Sequence, residues 1–337
     1  MHVLAIIDPY WVFSKSEGGV YNVHVEAIIM NQYFPYAFFE GKVIKTEEAK
    51  VSIMTNALQY GTAAFGGIRG YYAKKTKIIS IFRPKEHFTR LLNSLKILGV
   101  TIPYTNAQFQ EILVTLIKRN APKQNMYFRP IAYASSLELA PNLKRDHEFA
   151  LAIYMIPLED YLPVDKGLSV KVSSWNRIAD NSIPARGKIS GGYINSALAR
   201  KEAADDGYDE AVVLTSEGHV AEGSAENVFM VRNGTLITPP VFDNVLEGIT
   251  RNTVIEVARS LGINVVERSI DRSELYIADE LFFSGTGVQL AWISSVDKRT
   301  VGPGVRGPIT KKIATLFFDI VYGKKRKYFP WLTRVRV

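Results

Sequence analysis

Strand-like and helix-like segments interleave along this chain, yet never in the strict strand–helix–strand alternation that builds a doubly wound parallel sheet. From Tyr36, YAFFEGKVI gives two short strand-like runs about Glu40-Gly41, the form of a hairpin. EHFTRLLNSLKILG (86–99) sets Phe88, Leu91, Leu92, Leu95 and Leu98 on one helix face, and Gly99 suits the C-cap. AQFQEILVTLIKRN (107–120) repeats the device with Phe109, Ile112, Leu113, Leu116 and Ile117. Strand candidates MYFRPIAYA (126–134) and FALAIYMI (149–156) follow, then PLEDYLPVDKG (157–167), which reads as a linker. Beyond it come LSVKVSS, EAVVLTSEG and NVFMVRNGTLITP, the last with Asn233-Gly234 between two apolar runs, a strong hairpin signal. Helices are expected at 194–206, 250–261 and 309–322. The pattern predicts a mixed α/β (α+β) fold of largely antiparallel topology. It divides into an N-terminal extension (1–33), a small α/β domain (34–155), an interdomain loop (156–167) and a large domain (168–337).

Composition narrows the chemistry. The 337 residues include no cysteine, which excludes disulfides, thiolate metal sites and a thiol nucleophile. His2, His24, His87, His147 and His219 show no metal-binding spacing, so no metal is expected. Of the net charge of +8, six charges come from Lys324, Lys325, Arg326, Lys327, Arg334 and Arg336 at the C-terminal end. That leaves a nearly neutral body and reads as a solvated tail rather than a nucleic-acid-binding face. No stretch approaches the ~18 apolar residues of a membrane span. The apolar start MHVLAIIDPYWVF lacks a basic n-region and is broken by Asp8-Pro9. A cytoplasmic protein with neither nucleic-acid nor membrane partners is expected.

Lys188 sits in a Gly-rich neighbourhood, followed by Gly191, Gly192 and Tyr193, with Arg186 near and few acids. Lysine becomes a Schiff-base nucleophile when desolvated beside other cations, but spacing alone does not separate that from a solvated loop lysine. Glu222 falls in a turn between strand-like runs. Gly248, Ile249 and Thr250 open a helix, whose exposed N–H groups suit an anion. FFSGTG (282–287) ends a strand in a second candidate phosphate turn. A lysine, an acid and two anion-binding turns are together what pyridoxal phosphate asks of a protein.

From about Tyr36 to its end the chain resembles the branched-chain-amino-acid aminotransferases of the fold-type IV pyridoxal-phosphate enzymes. The resemblance rests on NALQYGTAAFGGIRGY, EHFTRL, YFRP, SSWNR, EGSAEN, LEGITR, FFSGTG and the final PWL, all in one order. It implies that Lys188 holds the cofactor as a Schiff base and moves the proton between Cα and C4′. Tyr193 would bond the phenolic oxygen and Glu222 would face the pyridine nitrogen. Arg90, Ile249, Thr250 and Thr286 would bind the phosphate, and Leu246 would pack on the ring. Tyr60, Phe65, Arg69, Tyr127 and Arg129 would line the substrate pocket. Thr286 and Gly287 would serve the α-carboxylate, and Tyr161 would reach in from a neighbouring subunit. The implied reaction moves the amino group of L-leucine, L-isoleucine or L-valine to 2-oxoglutarate by a ping-pong route, in a homodimer or larger homo-oligomer.

Three departures stand out. Gly66 replaces the glutamate of the usual FEGIR, which would widen the substrate range. The glycine pair after Lys188 is shifted by one, and residues 1–33 have no counterpart. Gly66 keeps a D-amino acid or (R)-amine transaminase, or an aminodeoxychorismate lyase, as the alternative within the fold. A cofactor-free nucleic-acid-binding protein acting through the basic tail is the alternative outside it.

Overall fold

The computed structural model describes residues 11–16, 19–24, 33–143, 149–158 and 166–337. Strands β1 (Trp11–Ser16) and β2 (Gly19–His24) pair antiparallel within the stretch that the sequence sets apart as an extension. An eight-stranded sheet takes β3 (Tyr36–Phe39), β4 (Lys42–Lys45), β5 (Ala63–Phe65), β6 (Ile68–Ala73), β7 (Ile78–Phe82), β8 (Met126–Ala134), β9 (Phe149–Pro157) and, from the far end of the chain, β19 (Leu332–Arg336). All its pairings are antiparallel. A nine-stranded sheet takes β10 (Leu168–Val172), β11 (Glu210–Leu214), β12 (Val220–Gly223), β13 (Asn227–Arg232), β14 (Thr235–Thr238), β15 (Val265–Glu267), β16 (Glu280–Gly285), β17 (Gln289–Val296) and β18 (Arg299–Thr300). Here β10 runs parallel to both β11 and β17, and β14 parallel to β15.

Both expected hairpins form, because their turn residues accept positive φ: Glu40 47° and Gly41 88°, Asn233 50° and Gly234 73°. A short helix α1 (Asn56–Tyr60) precedes β5. The longer helices α2 (Pro84–Ile97), α3 (Asn106–Asn120), α4 (Tyr193–Asp205), α5 (Ile249–Ser260) and α6 (Pro308–Val321) lie within two residues of the expected bounds. Apolar residues of α2 and α3, among them Phe88, Leu95, Phe109 and Leu116, pack with Phe149, Leu151, Ile153 and Met155, the buried alternate positions of β9. A second core joins the two sheets: Tyr71 and Phe82 of the first pack with Phe229, Phe282, Val254 and Phe317 of the second sheet and its helices.

The basic C-terminal end is not the solvated tail its charge suggests. Residues 332–336 form β19, antiparallel to β7 at the edge of the first sheet, with Val335 buried and charged neighbours facing out. Charges on an edge strand discourage further pairing. Lys324 and Lys325 pair with Asp319, and Arg334 lies over the Phe329 ring. None of the helices among the described residues is long and apolar enough to cross a membrane.

The Gly61 turn ties the two sheets together next to Lys188. Gly61 caps α1 at φ 68°, and its carbonyl accepts from Gly191 N at 3.1 Å. A Cβ on Gly61 would stand 2.6 Å from Gly191 Cα, which is backbone and has no rotamer to yield. Left-handed conformation costs an L-residue ~1–2 kcal/mol before any clash. Gly61→Ala is therefore expected to lose about 2 kcal/mol or more of stability. The check is the denaturant midpoint; an unchanged midpoint would show that the 189–192 segment moves freely.

Candidate active site

Lys188 is held by its backbone from three directions. Its N–H donates to Ser94 Oγ at 3.0 Å, its carbonyl accepts from Phe65 N at 3.0 Å, and the next residue bridges to Ala64. Ser94 Oγ donates in turn to the Arg90 carbonyl at 2.9 Å, so β5, α2 and the lysine segment form one unit. The Lys188 side chain enters a cavity of about 350 Å³ between the two sheets. There Nζ is hydrogen-bonded to the Tyr193 hydroxyl and lies 4.9 Å from the Phe65 ring centre. Burial drives this amine well below the ordinary lysine value, and Arg90 and Arg129 push it further down; Glu222 and Glu226 oppose them. The shift favours the amine over the ammonium, and the amine, with its lone pair, is the form in which lysine attacks carbonyl carbon. Burial also pushes the Tyr193 hydroxyl up, so it remains protonated.

Opposite the lysine, α5 opens onto the cavity through Gly248, Ile249 and Thr250. A Cβ on Gly248 would come within 2.0 Å of Asn227 Oδ1, so only glycine lets the helix start approach β13 this closely. The first N–H groups of a helix lack intrahelical partners and carry the positive end of its dipole. Arg90 lines the same end, its Nη1 3.4 Å from the Glu247 carbonyl, and Thr286 lies on the facing turn. The Ser284 hydroxyl is buried in the wall without a protein partner. Such a cluster of donors accepts a phosphate.

Glu222 stands one layer behind the cavity wall. It is 5% exposed, and Oε2 accepts from Leu246 N at 3.0 Å and from Asn227 Nδ2 at 3.1 Å; both partners line the cavity. Burial raises this carboxyl above its ordinary range.

Phe65, Tyr127, Arg129 and Gly287 line the remaining wall together with Ile156 and Leu158, which sequence reading did not single out. Arg69, expected among the substrate-contacting residues, is instead buried outside the cavity at 1% exposure. Its Nε donates to the Thr286 carbonyl at 3.0 Å and its Nη2 to the Gly287 carbonyl at 2.9 Å, bracing the turn from behind. Tyr60 is also not brought to the cavity: it ends α1, 37% exposed. Tyr161 lies outside the described residues. Gly66 does not enlarge the cavity either. A side chain there would set out toward Pro130, with Cβ 2.9 Å from Cγ, whereas Gly67 lines the cavity. Single residues inside quoted motifs were missed: Ser94, Glu226, Asn227 and the Arg177 of SSWNR. For Ser94 and Asn227 the available signal was a polar residue within an otherwise buried helix or strand face; Arg177 and Glu226 lie in loops and carry no such signal.

Comparison with known proteins agrees with this geometry. The family model for class IV amino-transferases matches residues 72–296. A probable branched-chain-amino-acid aminotransferase of Aquifex aeolicus is 46% identical over 301 residues, 89% of this chain and 96% of that one. The crystal structure of a branched-chain aminotransferase from the thermophilic archaeon Thermoproteus uzoniensis with norvaline superposes with a TM-score of 0.86 at 43% identity, covering 89% of this chain and 99% of that one. The branched-chain amino acid aminotransferase from Thermobaculum terrenum in its PLP form also gives 0.86, at 37% identity, covering 91% of this chain and 100% of that one. A lysine amine desolvated between cations, a helix start open to an anion, and this likeness over nearly nine-tenths of the chain lead to one conclusion: the chain belongs to the class IV aminotransferase family.

Proposed function

We propose that this chain is a pyridoxal-phosphate-dependent aminotransferase that moves the amino group of L-leucine, L-isoleucine or L-valine to 2-oxoglutarate. The observation that carries the reading is the desolvated Lys188 amine facing a phosphate-sized cluster of donors across one cavity. The residues present fit the cofactor. Arg90, the Ile249 and Thr250 end of α5 and Thr286 would hold its phosphate, and the Tyr193 hydroxyl its phenolic oxygen. Leu246 would pack on the ring, and Glu222 would serve the ring nitrogen. Bound there, the cofactor supplies an electron sink for the substrate's α C–H bond and carries the amino group between half-reactions.

The chain's own groups do the rest. Lys188 Nζ takes the α-proton and returns it as the general acid. Tyr193, protonated and in contact with Nζ, fixes where that amine points. The Thr286–Gly287 turn, braced by Arg69, presents donors to the α-carboxylate. Phe65, Ile156 and Leu158 offer apolar wall to a branched side chain, and Arg129 offers a guanidinium to a distal carboxylate. Assembly as at least a homodimer belongs to the same reading. It is supported by Val51, Ile53, Met54, Leu58 and Tyr60, all exposed apolar side chains on and just before α1. A monomer mass by sedimentation would remove that part.

The test is the visible spectrum of the protein with pyridoxal phosphate during separate additions of L-leucine and D-alanine. Bleaching by L-leucine, with glutamate formed on later addition of 2-oxoglutarate, is expected. Bleaching by D-alanine alone would move the substrate to the D-amino acid class. No protein-bound band would overturn the reading.

A further inference from the structure

The SSWNR motif (173–177) has no part in the roles above, and its arginine makes the contact that gives it one. Arg177 Nη2 lies 3.0 Å from Glu222 Oε1, with both side chains largely buried. Its Nε donates to the Asn244 carbonyl at 3.1 Å, and its own N–H donates to the Leu214 carbonyl at 2.7 Å. The loop that carries it is fastened at two points to α4, the helix that begins with Tyr193. Glu202 accepts from Ser173 Oγ and from Ser174 N, and Asn195 Nδ2 donates to the Asn176 carbonyl. The guanidinium is thus fixed relative to Tyr193 and to Glu222 at once.

Resting on the pyridoxal-phosphate reading, we propose that Arg177 is a positioning residue: it holds Glu222 as an oriented carboxylate, and through it the proton on the cofactor's ring nitrogen. The hydrogen-bond count supports this. An ionised carboxylate has about four acceptor sites. Leu246 N and Asn227 Nδ2 take two on Oε2 and Arg177 one on Oε1, which leaves Oε1 one further site. The electrostatics agree. Burial favours the neutral acid, and of the groups that favour ionisation Arg177 is the largest. Without that partner, an isolated buried carboxylate takes up a proton rather than remain charged. A protonated Glu222 has no charge with which to keep the ring nitrogen a cation, and the electron sink weakens.

The experiment loads wild type, R177M, R177K, E222Q and the R177M/E222Q double variant with pyridoxamine 5'-phosphate labelled with ¹⁵N at the ring nitrogen. This ligand forms no bond to Lys188. Two readouts are taken, the ring-nitrogen chemical shift and the dissociation constant. Wild type is expected to show the protonated shift, R177M the unprotonated one with ~10-fold or greater loss of affinity, and R177K a partial return. In the E222Q background R177M should add less than about 2-fold, since Arg177 acts through the carboxylate already removed. The double variant leaves neither charge of the pair behind, so it answers the question should R177M fold poorly. A protonated shift and unchanged affinity in R177M, or a further affinity loss in the double variant as large as in the single, would overturn the inference alone. Failure of wild type to bind the ligand would overturn the cofactor reading and this inference together.

Discussion

K188A is expected to lose transamination by about 10⁴-fold or more and the protein-bound visible band completely, while the cofactor-free protein becomes more stable. Both effects have one origin. The amine that makes the bond to the cofactor is also the base for the α-proton, so one truncation removes nucleophilic and acid–base catalysis together. The same amine is a cost to the fold. Lys188 is desolvated and faces Arg90 and Arg129, so the folded protein holds this proton less tightly than the unfolded chain does. Protons bound in the unfolded state beyond those in the folded state make stability rise with pH. For this group the rise runs from the depressed folded value up to the ordinary lysine value near 10.4. Cofactor-free wild type should therefore gain stability relative to K188A as pH is raised through that window, from a lower starting point at pH 7. Thermal midpoints of the two proteins across pH 6–10 check this. If the stability difference between the two proteins does not change across that pH range, the amine is not held at a depressed value in the folded state and this account of its cost fails. Loss of activity with a normal fold but a retained visible band would place the reactive amine elsewhere.

Local chemistry made much of the fold legible. Glu40-Gly41 and Asn233-Gly234 could be read as hairpins because few residue pairs accept two positive φ values. Four of the five long helices were legible because each buries an apolar face at 3.6-residue spacing; α4 buries only Ala199 and Ala203. What escaped depends on distant partners. β5, β6 and β7 are short, and Gly66, Gly67 and Gly70 blur their alternation. β19 looked like part of a charged tail because the C-terminal end holds six basic residues and no acid, and only the position of β7 makes it a strand. In the site, residues within contiguous motifs were recoverable, whereas the function of a side chain often was not. Arg69 has the composition of an anion binder, yet its burial behind Thr286 and Gly287 turns it into a brace. Gly66 suggested a wider pocket only while the direction of its missing side chain was unknown. The Arg177–Glu222 pair joins residues 45 positions apart, and no local period records it.

R129M is expected to separate the two substrates of the proposed reaction. The Arg129 guanidinium lies over the Phe65 ring at 4.7 Å and near the Tyr127 ring at 5.3 Å, and Nη2 donates to the Tyr127 hydroxyl at 3.3 Å. Its Nε is buried in the cavity wall without an acceptor. A half-buried cation stacked on two rings, with an unmet donor, is set for an anionic group, and a distal carboxylate meets a planar fork at two points. Hydrogen bonds to charged partners are worth ~1.5–3 kcal/mol each. A net loss equal to one such bond should thus raise KM for 2-oxoglutarate and for glutamate by roughly 10- to 150-fold, since 1.4 kcal/mol is tenfold. L-leucine has no distal charge, and the methionine keeps an apolar stem against Phe65, so its half-reaction should change by less than about 5-fold. Single-turnover rates measured separately for L-leucine and L-glutamate decide the matter. Equal losses for both would mean that Arg129 serves the shared α-carboxylate or holds Phe65 in place. In that case one cavity would have to distinguish an alkyl chain from a carboxylate without a charge of its own near the distal end. Desolvating that carboxylate against apolar walls would then oppose binding by several kcal/mol. The stacked arginine removes that difficulty, because its flat face is compatible with alkyl groups while its edge binds the acid.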